Sequence, residues 1–212
     1  MQTRRAPSCG GLARPKSPRR RRPNVLRRAP GFVLGYHGCD AKAAEALLAG
    51  SPFKWSRNTY DWLGSGAYFW ENDPVRGIRW AQEIKARGGR IKDPAVIGAI
   101  IDPGLCLDLT NQSSLDVIKT AYDGLKALTE TLGETLVSNH TDTLRRPLDN
   151  AVLNYLYESM PDPKLQTVRG MFTEGGPLYD GAQIQAKTHV QIAVRDSACI
   201  RGVFRVPKAE LA

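Results

Sequence analysis

The 212-residue chain lacks several features that would assign its class at once. No apolar run approaches the roughly 20 residues that span a bilayer, so neither an integral membrane protein nor a membrane partner is expected. Four cysteines, Cys9, Cys39, Cys106 and Cys199, stand far apart. They form no C-x-x-C pair and match no zinc spacing, so neither a disulfide framework nor a metal site is predicted. With no apolar secretory segment, reduced thiols in a cytoplasmic, intracellular protein are the expectation, although export as an effector is compatible with the same residues. The G-x-x-x-x-G-K-[ST] phosphate loop and the Rossmann glycine fingerprint are also missing. Acidic residues are missing from positions 1–30 altogether.

That last absence explains most of the net charge of +9. Residues 1–30 hold ten Lys and Arg, and removing them from 30 basic residues leaves 20 against 21 acidic ones. The body is therefore about neutral. The arm is rich in Pro and Gly and poor in apolar residues, so it is expected to be disordered. It can be read as a tether to nucleic acid, as a transit peptide of the Arg-rich kind, or as translated leader sequence with no function.

From residue 31 to 212 the pattern is that of one α+β domain. "GFVLGYHGCD" reads as a strand running into a turn. Asp40 is a plausible N-cap for a short amphipathic helix that stops at Gly50. After a second short strand or loop comes "LGSGAYFWE", a glycine turn followed by an aromatic strand. Asp73 and Pro74 open a further helix, and "AVIGAIIDPGLCLDL" reads as a central strand closed by a Pro-Gly turn. Residues 113–160 form a helical segment, with Leu115, Ile118, Tyr122, Leu125 and Leu132 at helical spacing. The remainder returns to strands and turns.

Three polar or aromatic positions stand out. His37 ends an apolar strand and precedes Gly38. Tyr68 follows the "GSG" turn. Gln191 alternates with Val190, Ile192 and Val194 in "THVQIAVRD". A buried amide must satisfy its hydrogen-bonding valences or face a cleft. His189 shares the face of Gln191 in a regular strand. Each position alone has a plain structural explanation: a core or turn histidine, a glycine hairpin, a satisfied amide.

Taken in order, "YHG", "LGSGAYF" and "VQIAVRD" resemble the ADP-ribosyltransferase superfamily, in the His-Tyr-(Glu/Asp/Gln) branch that includes diphtheria-type toxins and poly(ADP-ribose) polymerases. The resemblance covers roughly residues 31–108 and 170–206 and leaves the helical segment unmatched. It implies split, apposed antiparallel β-sheets around a cleft for NAD⁺, with residues 113–160 as an insertion. It implies transfer of ADP-ribose from NAD⁺ to a macromolecular acceptor, protein or nucleic acid, with release of nicotinamide. By the same resemblance His37 holds a ribose hydroxyl and the Gly38 backbone meets the nicotinamide carboxamide. Tyr68 stacks on the nicotinamide ring, and Trp80 is a candidate for its opposite face. Gly66 lets the dinucleotide approach the strand, as Gly64 does, and Ser56 can reach a ribose or phosphate.

One departure is chemical. Where the polymerases carry a glutamate, this chain has Gln191, which keeps a hydrogen bond and loses a charge. The resemblance with that change implies single transfer rather than chain elongation. Glu174, in "TEGGPLYDGAQ", is the expected general base for the acceptor, with Asp180 nearby. A NAD⁺ glycohydrolase and a non-catalytic module that binds ADP-ribose or NAD are the competing expectations, followed by a basic nucleic-acid-binding protein.

Overall fold

The computed structural model describes residues 27–28, 31–141 and 144–211, so most of the basic arm lies outside the described residues. Within the arm, Arg27–Arg28 (β1) pair by their backbone with Leu105 and Cys106. The apolar stretch after the arm becomes Val33–Asp40 (β2). Asp40 then caps Ala41–Leu48 (α1), its carboxylate accepting from the Lys42 amide at 3.1 Å. The glycine turn leads into Ala67–Glu71 (β3). Asp73 caps Pro74–Ala86 (α2) through the Arg76 amide at 2.8 Å, and Pro74 occupies the first turn, where a missing N–H does no harm.

"AVIGAIIDPGLCLDL" is two strands rather than one. Pro94–Ile101 (β4) and Leu105–Asp108 (β5) are parted by Asp102–Pro103–Gly104, whose turn is held by the Gly104 amide on the Asp102 carboxylate at 3.1 Å. The turn sends the chain to the other side of the sheet. Gln112–Thr131 (α3) and Pro147–Ser159 (α4) follow. Thr167–Phe172 (β6), His189–Val194 (β7) and Ile200–Arg205 (β8) complete the fold.

The eight strands form one sheet in the order β1-β5-β6-β7-β3-β2-β4-β8, antiparallel except for the β5–β6 pair. The fold is thus α+β, but the expectation of two separate apposed sheets is corrected: every strand is hydrogen-bonded into one sheet. Four helices cover it. On one face, Leu63, Leu107, Val168 and Ala193 pack under Ala121 of α3 and Val152, Leu153 and Leu156 of α4. Beside them Tyr36 and Val96 lie under Ile78 of α2. On the other face Phe69, Ile101, Ile192 and Val194 pack with Phe53, and Ala44 and Leu47 of α1 pack on Cys39 and Ile97. The helical stripe is only partly used, since Ile118, Tyr122 and Leu125 of α3 join the core while Leu115 and the C-cap residue Leu132 stay exposed. Among the described residues no helix is long and apolar enough to cross a membrane.

Candidate functional site at the fork of β2 and β3

The pairing of β2 with β3 is short. β2 pairs with β4 along its whole length, Val33 to Asp40. With β3 it pairs only at Gly35–Glu71 and Tyr36–Trp70. Beyond that point the two strands diverge, and the Tyr68 carbonyl loses a backbone partner from β2. His37 takes over: its Nδ1 lies 2.8 Å from the Tyr68 carbonyl oxygen. A carbonyl only accepts, so Nδ1 carries the proton and Nε2 is left as an acceptor. Burial lowers the pKa of His37, and the positive charge of Arg90 adds to the shift. The ring is therefore neutral at pH 7. Phe53 meets it edge-on at 5.5 Å and Phe69 lies at 5.6 Å.

On the other side of β3, the strand pairs with β7 through Tyr68–Ala193 and Trp70–Gln191. Tyr68 and Gln191 are thus diagonal neighbours on one face. Register puts His37 beside Phe69, on the opposite face. The three sequence-selected side chains sit on three adjacent strands around the fork, but the imidazole enters it from the side opposite the phenol and the amide.

Tyr68 itself is engaged by the protein. Its hydroxyl donates to the Gly64 carbonyl at 2.7 Å and accepts from the Leu63 amide at 3.0 Å. Desolvation pushes its pKa well up, so it stays a neutral phenol. Gln191 is oriented by a residue that the sequence reading did not select. The Trp62 indole donates to Gln191 Oε1 at 2.7 Å, and since an indole N–H can only donate, the free end of the amide is its NH₂.

The glycines serve packing more than ligand approach. A Cβ on Gly38 would collide with the Gly77 carbonyl oxygen and lie 3.2 Å from Trp80, so this glycine admits α2 against β2. Gly64 adopts φ +75°, and a Cβ there would meet Arg195 and Asn154 at 2.5 and 2.9 Å. Gly66 pairs with Ser56 through both backbone groups. The Ser56 hydroxyl donates to the Asp61 carboxylate, and Asn58 joins them. Burial raises the pKa of Asp61. Trp80 is half-buried and packs on Trp70 at 5.4 Å with the rings tilted by 49°.

Glu174, expected as a general base, is engaged by the protein. Its carboxylate pairs with Arg76, and both side chains are buried, at 8% and 9% exposure. A base for an incoming acceptor must be reachable, and this carboxylate instead ties the segment before β7 to α2. His189 is likewise buried, between Trp70 and Phe172. Its Nδ1 bonds the Lys187 carbonyl at 2.7 Å. Around it four buried side-chain atoms have no hydrogen-bond partner: Trp70 Nε1, His189 Nε2, and Nε and Nη1 of Arg76. Interiors rarely leave such groups unmatched. Asp180 lies in an exposed turn, and His140 is exposed in the connection before α4.

Comparison with known proteins adds little to this geometry. No family model matches the chain. An uncharacterized protein of Methanocaldococcus jannaschii is 28% identical over 145 residues, covering 65% of this chain and 63% of the relative. The chain thus spans less than two thirds of that relative's length. Among the described residues no group of His, Cys, Asp and Glu is placed to hold a metal ion.

Proposed function

We propose that the fork between β2 and β3 binds NAD⁺ and that the protein transfers ADP-ribose from it to a macromolecular acceptor, releasing nicotinamide. One observation carries the reading. The backbone pairing of β2 with β3 ends between the residues that bring His37 and Tyr68 together, next to the strand that bears Gln191, and the polar groups left over on the two faces suit ribose hydroxyls. His37 Nε2 can accept from a ribose hydroxyl, because Nδ1 is committed to the Tyr68 carbonyl. The Gln191 NH₂ can donate to a hydroxyl oxygen, because Oε1 is committed to Trp62.

The chemistry asks little of acids and bases. The bond from ribose C1′ to the cationic nicotinamide nitrogen breaks, and its electron pair leaves with a neutral nicotinamide. The ribosyl centre passes through an oxocarbenium-like state. A lone pair of the acceptor then forms the new bond to C1′, and the acceptor loses its proton to solvent. Positioning and electrostatics supply the rate. With an amide in place of a carboxylate at 191, charge stabilisation is weaker by a few kcal/mol, or roughly a factor of 10². Slow single transfer is the expected outcome.

The same amide favours a second reading, in which the module binds NAD⁺ without cleaving it. Purified protein incubated with adenine-labelled NAD⁺ and an extract of macromolecules separates the cases. Label fixed on protein or nucleic acid supports transfer, whereas label only in free ADP-ribose replaces it with glycohydrolysis. Binding with no nicotinamide released leaves the non-catalytic module. No binding refutes the reading.

A further inference from the structure

Away from the fork, a cavity of about 700 Å³ opens where the end of α4, the segment entering β6 and the segment leaving β7 meet. Its volume is within the range of small-molecule sites. Two of its lining side chains are cations, and they flank one ring. The Arg195 guanidinium lies 4.4 Å from the Tyr157 centroid and the Lys164 ammonium lies 5.5 Å from it.

Arg195 is 4% exposed, and its Nε has no hydrogen-bond partner. Its Nη2 donates to Asn154, an uncharged acceptor, and the Glu158 carboxylate acts on the guanidinium only through space. Burial lowers its pKa, as expected for a cation short of a counter-charge. Lys164 donates to the carbonyls of Tyr157 and Glu158 at 2.9 and 3.0 Å, which leaves a third N–H free. The acid at the rim is engaged elsewhere. Asp196 accepts from the Ala198 amide at 2.9 Å and from the Gln166 side chain at 2.8 Å. The free donors of Arg195 and Lys164 are thus both cationic. Trp55, also lining the cavity, is 40% exposed and offers a flat apolar face.

We propose that this cavity is a binding site for a mononucleotide, with the phosphate held by Arg195 Nε and Lys164 and the base against Trp55. A buried guanidinium beside an ammonium suits a phosphate monoester, and an exposed indole suits a base. A cavity of this volume takes one nucleotide rather than a strand. The site does not depend on the reading of the fork.

Titration calorimetry on the full chain tests it with three probes: AMP, adenosine and inorganic phosphate. AMP binds more tightly than either fragment. Lys164→Met weakens AMP at least tenfold and leaves adenosine unchanged, and Lys164→Arg restores most of the loss. Trp55→Ala, at an exposed position where folding is not at risk, weakens AMP and adenosine but not phosphate. His37→Ala leaves AMP binding intact. The proposal is overturned if AMP does not bind at millimolar concentration, or if Lys164→Met has no effect in a protein that folds normally. It is also overturned if AMP binding is lost in His37→Ala, which moves the ligand to the fork, or if single-stranded RNA binds and AMP does not displace it.

Discussion

Removing the Tyr68 hydroxyl tests how the fork is built. Tyr68→Phe deletes one oxygen and keeps the ring. That oxygen closes the glycine turn by accepting from the Leu63 amide at 3.0 Å and donating to the Gly64 carbonyl at 2.7 Å. Both residues are buried, so both backbone groups lose a partner that water does not easily replace. An unsatisfied buried polar group costs about 1–3 kcal/mol. Two groups, partly relieved by relaxation of a turn, come to about 2–3 kcal/mol. For a chain of this length that lowers the melting temperature by about 4–12 °C. Urea unfolding with an unchanged m-value is the assay. A variant within about 0.5 kcal/mol of wild type would refute the reasoning, because Tyr68 would then be free to serve a ligand alone. Stacking on a nicotinamide ring needs only the ring, so the variant's NAD⁺ affinity, measured on the folded fraction, stays within about threefold under the proposed function.

Further outcomes follow from the same geometry. Gln191→Glu gives the Trp62 indole a charged acceptor and places a negative charge beside the ribosyl centre. Nicotinamide release is expected to rise at least about tenfold, and an unchanged rate would remove Gln191 from the reacting centre. Gly38→Ala drives a methyl into the Gly77 carbonyl and destabilises the fold by about 1–3 kcal/mol, read by thermal melting. No change would mean that α2 is not held by this contact. Both His37 and His189 have pKa values lowered by burial from the ordinary 6.5, so the unfolded chain binds protons that the folded chain refuses. Stability is therefore full above about pH 7 and falls as pH drops through 6.5, by up to about 2.7 kcal/mol per pH unit for two such groups. Urea midpoints at pH 7.5 and 5.5 check the sign, and a higher midpoint at pH 5.5 would contradict it.

The helices and strands were legible because local chemistry marks them. Asp40 and Asp73–Pro74 signal helix starts, and the capping bonds are where those residues direct them. The Asp102–Pro103–Gly104 turn was visible too, but not that it separates β4 from β5 across the sheet, since strand order depends on long-range pairing. His37, Tyr68 and Gln191 were identified as a group, and they do lie on neighbouring strands. The divergence of β2 from β3 was not legible, nor the side from which each group enters, because register is set by partners far along the chain. Trp62 carries no signal in the sequence, where a lone tryptophan before a glycine turn reads as core. Its link to Gln191 spans 129 positions. The pairing of Glu174 is not legible for a similar reason. A carboxylate in a glycine-rich loop looks free until α2 brings Arg76 to it.

Nicotinamide release from NAD⁺ by the purified protein, compared with His37→Ala, bears most directly on the fork as an NAD⁺ site. The account predicts slow but measurable release by the wild type and a loss of at least about tenfold in the folded variant. Release that is undetectable in the wild type together with no NAD⁺ binding, or release unaffected by the loss of His37, would contradict it.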